Sequence, residues 1–390
     1  MDNKVFVVRC PGYDQAEEKI AELLTMMGGM GQFAAPGERI VLKVNLLQPT
    51  APEKAITTHP AVVAAVGRMA KKEGAKPVIA DSPGGGYRYS QKSLNGFYRK
   101  SGMDKAAEEA GIEVNLDATY QAVSFPGGDL VKRFEVITPV IEADGVFNLC
   151  KLKTHTFMSM TGAVKNNFGV IPGLAKPGYH AKLPGKSHFA NMLLDLAEYV
   201  SPRLSIMDAV VGMEGEGPGA AGVPRRVGLL LAARSQLALD VVASEIMGLS
   251  QENNPVLIEA ERRGLHPTRL EQVQVIGADK SDLRIPGYKL PATILDGDGF
   301  QSPPWWQRAL MPLFKNGFTV KPLVIRDRCT ACGVCRDSCP MEIITIVDGN
   351  YAQIDNQDCI RCYCCHEMCP DGAIELRSSL LHRIVGRFEG

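Results

Sequence analysis

A twelve-residue cysteine pattern occurs twice near the end of this chain: residues 329–340 read C-T-A-C-G-V-C-R-D-S-C-P and residues 359–370 read C-I-R-C-Y-C-C-H-E-M-C-P. Both fit C-x2-C-x2-C-x3-C-P. Three thiolates from one tight loop can grip three irons of a cubane, while the fourth, set off by the following proline, reaches a second cubane. By that rule Cys329, Cys332, Cys335 and Cys369 hold one 4Fe-4S cluster, and Cys359, Cys362, Cys365 and Cys339 hold the other. Paired C-x2-C units also bind structural zinc, but zinc knuckles end after two closely spaced ligands and need no proline. Cys364 is a further cysteine inside the second motif. Taking it as ligand in place of Cys365 breaks the three-residue gap to Cys369, so it reads as a bystander, or as a ligand when a cluster is damaged. Ile343, Ile344 and Ile346 after the first motif, and Ala373, Ile374 and Leu376 after the second, are placed to shield the clusters from water.

The motif recurs after 30 residues and marks a small α+β dicluster ferredoxin-like domain over 323–377. Before it, residues 301–322 read as a connector whose Trp305, Trp306, Leu310, Leu313, Phe314 and Phe318 pack that domain onto the rest of the chain. After it, 378–390 has Leu380, Leu381, Ile384, Val385 and Phe388 at helical spacing, the pattern of an amphipathic tail helix.

Residues 1–300 alternate strand-like and helix-like stretches. Strands are expected at 39–47, 76–81, 145–152, 204–208 and 227–233, and helices at 60–74, 96–110, 187–200, 237–248 and 255–264. The alternation predicts an α/β main domain with a largely parallel sheet, in which ligands sit at the carboxyl ends of the strands. No apolar run approaches membrane-spanning length and no secretory pattern is read at the N-terminus. Iron-ligating cysteines must stay reduced, so the expected compartment is the cytoplasm. Lys plus Arg and Asp plus Glu both number 43, which leaves no global basic field for nucleic acid.

Charge is nevertheless uneven. Between Gly145 and Leu194 there is no Asp, Glu or Arg, yet Lys151, Lys153, Lys165, Lys176, Lys182 and Lys186 occur there with His155, His180 and His188. This suggests a concave site for an anion such as a carboxylate or phosphate. Lys176, Lys182 and Lys186 read as solvated lysines on exposed loops, whereas Lys151 and Lys153 end a buried strand. Lys151, Lys153, His155, Lys165 and Asn166 are the candidate catalytic residues. Lys43, Asn45, His59, Asp81, Ser82, Gly84 and Gly85, on three further loops, are the candidate anion-binding residues. The glycines of 84–86 let backbone approach a ligand closely but form no dinucleotide fingerprint. His59, before a proline, also suits a plain helix cap. A glycine-rich loop at 208–222, which holds Glu214 and Glu216, could act as a lid, supply a general base, or offer Asp208 and Glu214 to a divalent metal. Cys10 and Cys150 read as buried small hydrophobes.

The run Lys151-Leu-Lys-Thr-His155 followed by Thr161-Gly-Ala-Val-Lys-Asn-Asn-Phe-Gly169, together with Thr58-His-Pro60, Asp81-Ser-Pro-Gly84 and Asp208 through Pro218, resembles the domain of unknown function 362 family. The likeness covers about residues 4–295. Many members carry a two-cluster ferredoxin domain at the C-terminus, and the resemblance implies an iron–sulfur protein without implying a substrate. Three functions are therefore expected in descending order: an oxidoreductase relaying electrons between a partner protein and a small anion, an electron-transfer adaptor subunit of a larger anaerobic complex, and a non-redox carboxylate enzyme with structural clusters. The adaptor reading draws on the nine acids and four arginines between Arg326 and Glu375, a balance suited to a basic partner face.

Overall fold

The computed structural model describes residues 2–295 and 320–377. The greater part of the expected connector, with Trp305, Trp306, Leu310, Leu313, Phe314 and Phe318, lies outside the described residues, as does the expected tail helix at 378–390.

The α/β domain is built on one sheet. In chain order its strands are β1 (Lys4–Arg9), β2 (Arg39–Lys43), β3 (Lys76–Ala80) and β4 (Glu113–Val114); the pair β5 (Tyr120–Ser124) and β6 (Arg133–Ile137) forms a separate ribbon. The sheet continues with β7 (Gly145–His155), β8 (Ser159–Thr161), β9 (Leu204–Gly215), β10 (Gly222–Ala233) and β11 (Gln274–Ile276), in the spatial order β11-β1-β10-β9-β7-β2-β3-β4. β9, β7, β2, β3 and β4 are mutually parallel, and β10 runs against its two neighbours. The sheet is mostly parallel but mixed.

The centre of the sheet is β7, and all its residues are buried. That includes Lys151, Lys153 and His155, a polar load that a covered strand carries only if each group is satisfied. Helices α1 (Ala16–Met26), α2 (Pro60–Lys72), α3 (Gln91–Ser101), α4 (Met103–Ala110), α5 (Thr138–Ile141), α6 (Ala163–Asn166), α7 (Lys176–Lys182), α8 (Lys186–Val200), α9 (Gln236–Met247) and α10 (Pro255–Arg262) cover the sheet over two apolar cores.

Local chemistry sets the ends of these helices. His59 caps α2, its Nδ1 accepting from Ala61 N at 3.2 Å with Pro60 as first helical residue. Ser235 caps α9, which ends at Gly248 in the left-handed region. The single helix expected at 96–110 is two, because Gly102 at φ 72° ends α3 and starts α4. The lid expected at 208–222 is a hairpin arm: β9 continues to Gly215 and pairs in register with β10, as the Gly222–Gly215 and Val223–Glu214 partners show. Antiparallel pairing satisfies this glycine-rich backbone without a covering helix and leaves only residues 216–221 as the turn.

The C-terminal region is small and made of short pieces: β12 (Lys321–Val324), α11 (Val334–Asp337), β13 (Ile344–Val347), β14 (Tyr351–Ile354), α12 (Cys364–Met368) and β15 (Ile374–Arg377). β12 pairs with β15 and β13 with β14, both antiparallel, around Ile344, Ala352, Ala373, Ile374 and the cysteines. Leu376 packs instead against the main core.

Candidate functional site

Two cysteine pockets lie in the C-terminal region. One is lined by Cys329, Cys332, Cys335 and Cys369, the other by Cys339, Cys359, Cys362 and Cys365. This is the crossed grouping that the spacing demands, with the last cysteine of each motif contributed to the pocket of the other. Ile346, Ala373 and Ile374 wall the first pocket, and Ile343, Ile344 and Ile354 the second. Backbone amides already point at sulfur: Ala352 N donates to Cys329 Sγ at 3.4 Å and Ala373 N to Cys369 Sγ at 3.1 Å. Burial raises the Cys335, Cys365 and Cys369 thiols above the usual range. Crowding four thiols in an apolar pocket is costly unless a cation takes them as thiolates, so the donor set fits a cubane. Of the eight, Cys332 alone is exposed.

A third cavity, of about 80 Å³, opens at the carboxyl ends of β2, β3 and β7. Lys43, Asn45, Asp81, Ser82, Gly84, Gly85, Lys153, His155, Lys165 and Asn166 all line it. Parallel strands explain the convergence, since their ends share one edge of the sheet. Two expected residues fall elsewhere. Lys151 is wholly buried against Asp208 at 2.7 Å and Tyr13 Oη at 2.9 Å, and Asp208 also accepts from His59 N at 2.9 Å. His59 stacks on Tyr13 with ring centroids 3.5 Å apart, and burial lowers its imidazole to about 4. These four groups form a closed network behind the cavity. The network also occupies Asp208, while Glu214 accepts from Lys289 N at 3.1 Å, and among the described residues no third ligand joins them as a metal site.

Lysine is the dominant charge of the cavity. Lys43 pairs with Asp81 at 2.9 Å, and Asp81 also accepts from Leu46 N and Ser82 N, each at 2.8 Å. Burial lowers the Lys43 ammonium, an effect that Asp81 opposes. Lys153 Nζ reaches Asn45 Oδ1 and Ile56 O, both at 2.8 Å, and no acid; burial and then Lys165 hold it well below the usual lysine range. Asn166, on α6, donates to Asn148 Oδ1 at 2.7 Å and accepts from Asn45 Nδ2 at 2.9 Å, locking the floor. Asp240 accepts from Ala163 N and Val164 N at the start of α6 and so fixes the helix that carries Lys165.

Lys176, read from the sequence as a solvated loop lysine, lines the cavity at 6 % exposure. Its Nζ donates to Ser82 O at 3.0 Å, Ser82 Oγ at 3.2 Å and Pro83 O, because α7 lies against the loop after β3. Burial brings its ammonium down to about 7. Lys186, read the same way, is buried too, with Nζ 3.4 Å from Thr293 O; only Lys182 of the three is exposed. His180 joins the lining, stacked on Phe189 at 4.3 Å and held by burial at about 3.

The remaining wall comes from the cysteine region. Cys364, Glu367 and Met368 line the cavity. On α12 they share one helical face, whereas Cys365 points to the second cysteine pocket. Gln48 Nε2 donates to Glu367 O at 3.0 Å, and His366 bridges Glu216 O at 3.1 Å and Ile374 O at 2.6 Å. The glycine loop that lines the cavity also approaches this region. A Cβ on Gly84 would stand 2.5 Å from Met368 Cε, one on Gly86 2.9 Å from Val334 O, and one on Gly219 would strike Glu367 O; Gly85 faces Pro177. The i, i+3, i+4 spacing of Cys364, Glu367 and Met368 was the available signal for this second face.

Counted at their usual charges, four lysines against two carboxylates, Asp81 and Glu367, give the lining a positive balance, which burial of Lys153 and Lys176 reduces and burial of Glu367 restores in part. Such a site favours an anion.

The family matches agree with this architecture. Residues 40–245 match the family described as domain of unknown function (DUF362), and residues 321–370 match a 4Fe-4S dicluster domain. The chain is 34 % identical over 338 residues to a thylakoid-associated protein of Synechocystis sp. (strain ATCC 27184 / PCC 6803 / Kazusa), covering 83 % of this chain and 98 % of that protein. Among solved structures it is similar to the lactate racemase apoprotein of Thermoanaerobacterium thermosaccharolyticum, with TM-score 0.40 and 13 % identity over 64 % of this chain and 58 % of the other. No helix among the described residues is long and apolar enough to cross a membrane.

Proposed function

The chain belongs to the domain of unknown function (DUF362) family and carries a 4Fe-4S dicluster domain, and from that premise we propose that it is an oxidoreductase moving electrons between a partner protein and a small anion in the lysine-lined cavity. Cys329, Cys332, Cys335 and Cys369 would hold one cluster, and Cys339, Cys359, Cys362 and Cys365 the other. Two such clusters, when bound, supply single-electron transfer, and a pair of them suits the two-electron change of a closed-shell substrate.

One observation carries the reading. Helix α12 contributes Cys365 to a cysteine pocket from one face and Cys364, Glu367 and Met368 to the anion cavity from the other. The same short helix lines both, so electrons need cross only its width. The exposed edge at Cys332 supports entry from outside, by a donor that works in the reducing compartment the thiolates require. In the cavity, Lys43, Lys153, Lys165 and Lys176 attract the anion, and the apolar side chains of Leu46, Leu47 and Phe168 keep water out.

The test is direct. Iron-loaded protein is reduced with dithionite, freed of excess reductant, and mixed anaerobically with small carboxylates and inorganic oxyanions while visible absorbance and electron paramagnetic resonance are followed. Reoxidation by one class of anion, slowed at least tenfold in Lys165→Gln, is the expected result. Clusters that stay reduced with every anion would sink the proposal.

A further inference from the structure

Of the groups lining the cavity, His155 has its hydrogen-bonding role fixed by backbone. Its Nδ1 accepts from Phe157 N at 3.1 Å and from Met158 N at 3.3 Å. That lone pair is committed, so the neutral ring carries its proton on Nε2. The side chain is wholly buried, and Nε2 meets no acceptor among the described residues. A buried N–H without an acceptor is costly, and a native site retains one where something else completes it.

Lys165 is the second incomplete group. Its half-buried ammonium stands 5.7 Å from the centroid of the Phe168 ring and has no hydrogen-bond or ion-pair partner among the described residues. The other three lysines of the cavity differ: Lys43, Lys153 and Lys176 are each held by protein oxygens. Lys165, an ammonium without a hydrogen bond, and His155, a neutral ring whose Nε2–H has no acceptor among the described residues, therefore line the same small space.

We infer that the cavity takes a small anion bearing a neutral acceptor oxygen beside its charged group, as a 2-oxocarboxylate does, with Lys165 on the carboxylate and His155 Nε2–H on the carbonyl oxygen. This rests on the anion-binding part of the function proposed above and adds the ligand's second group. At roughly 10–15 Å³ per water-sized group, a space of about 80 Å³ suits a small molecule, and Phe168, Leu46 and Met368 are left for the hydrocarbon end. His155 is then a specificity-determining residue and not a proton shuttle: a ring whose Nδ1 is held by two amides cannot take up a proton there while giving one up at Nε2. A site built to hydrogen-bond a substrate oxygen discriminates against the analogue that lacks it.

Pyruvate and propionate test this, since they share a three-carbon skeleton and one carboxylate and differ in the carbonyl oxygen. Calorimetric titration of the oxidised, iron-loaded full chain should show pyruvate binding about tenfold more tightly, the effect of one hydrogen bond net of solvation. His155→Leu should bring the two anions to within about twofold, whereas His155→Gln, whose amide N–H stands near the Nε2–H position, should retain the preference. Lys165→Gln should weaken both anions by a similar factor. Equal binding of the two by the unaltered chain would overturn the acceptor pairing while leaving anion binding intact, and binding of neither would overturn both. The unaltered chain alone decides the first point, whatever the folding of the variants. Electron transfer is not involved, so this outcome is independent of the reoxidation test.

Discussion

Glu367 Oε1 stands 3.2 Å from His155 Nδ1, bringing a side chain of the cysteine region against the end of the central strand of the α/β sheet. The contact is not an ion pair. Nδ1 already accepts from two amides, and burial, with Lys165 next, holds the imidazole well below its usual pKa. Burial also pushes the Glu367 carboxyl up to about 7, against the pull of Lys165 and Lys153. What joins the two regions is close packing and side-chain hydrogen bonds to backbone carbonyls, from Gln48 to Glu367 O and from His366 to Glu216 O, rather than charge. The glycines at the seam therefore matter more than its acids.

Gly86→Val should loosen the seat of the cysteine region without harming its iron. A Cβ there would stand 2.8 Å from Val334 Cγ1 and 2.9 Å from Val334 O, and branching adds to the clash. Overpacking of this kind costs about 1–3 kcal/mol. Hydrogen exchange over residues 334–338 should accelerate while iron per chain stays unchanged, and unaltered exchange would show that the seam does not depend on this glycine.

Lys151→Met separates the buried network from the cavity. Removing the ammonium leaves Asp208 buried without its cation, at a cost of about 3–5 kcal/mol. A large fall in the denaturation midpoint is expected, with the anion affinity of the folded fraction changed by less than about threefold. A chain of normal stability that no longer binds anions would instead return Lys151 to the binding site.

The exchange of Lys151 for Lys176 also marks what the sequence could disclose. Both cysteine sets, the mostly parallel sheet and the strand-end location of the cavity follow from spacing and periodicity, which act locally or through one well-understood sheet geometry. Lys151 and Lys153 lie two apart on one strand and look equivalent in one dimension. Only the tertiary neighbours, Asp208 for one and Asn45 for the other, set them apart. Lys176 looks solvated because its burial comes from the loop after β3, about 94 residues away in the chain. The wall formed by Cys364, Glu367 and Met368 required knowing that one face of α12 packs on the α/β domain, which helical spacing permits but does not demand.

Lys176 should make both the proposed anion binding and the stability of the chain depend on pH. Burial, opposed by Asp81, lowers its ammonium from 10.5 to about 7. Below that value the group is charged and attracts the anion; above it the charge fades, so affinity should fall as pH rises through 7. Stability moves the other way. A depressed folded-state pKa contributes stability that is full above the unfolded value and is lost as pH falls through the folded one. Relative to Lys176→Met, the unaltered chain should therefore gain stability between pH 7 and 10, measured by denaturant midpoints at several pH values. A difference that stays flat over that range would mean the ammonium keeps its proton throughout.

Cys364 and Cys365 are neighbours with opposite assignments, and iron content separates them. Cys365 lines the pocket it shares with Cys339, Cys359 and Cys362, while Cys364 lines the lysine-rich cavity. Cys365→Ser should cut iron from about eight to about four per chain and remove half of the cluster absorbance. Cys364→Ser should leave iron near eight. Its consequences should lie in the potential, because Cys364 is two residues from Cys362 in the same cysteine motif and a change there alters the surroundings of a proposed ligand sulfur. A redox titration should then show one cluster shifted and the other unmoved. Loss of iron in Cys364→Ser with retention in Cys365→Ser would reverse the assignment, and with it the orientation of α12 between cluster and cavity.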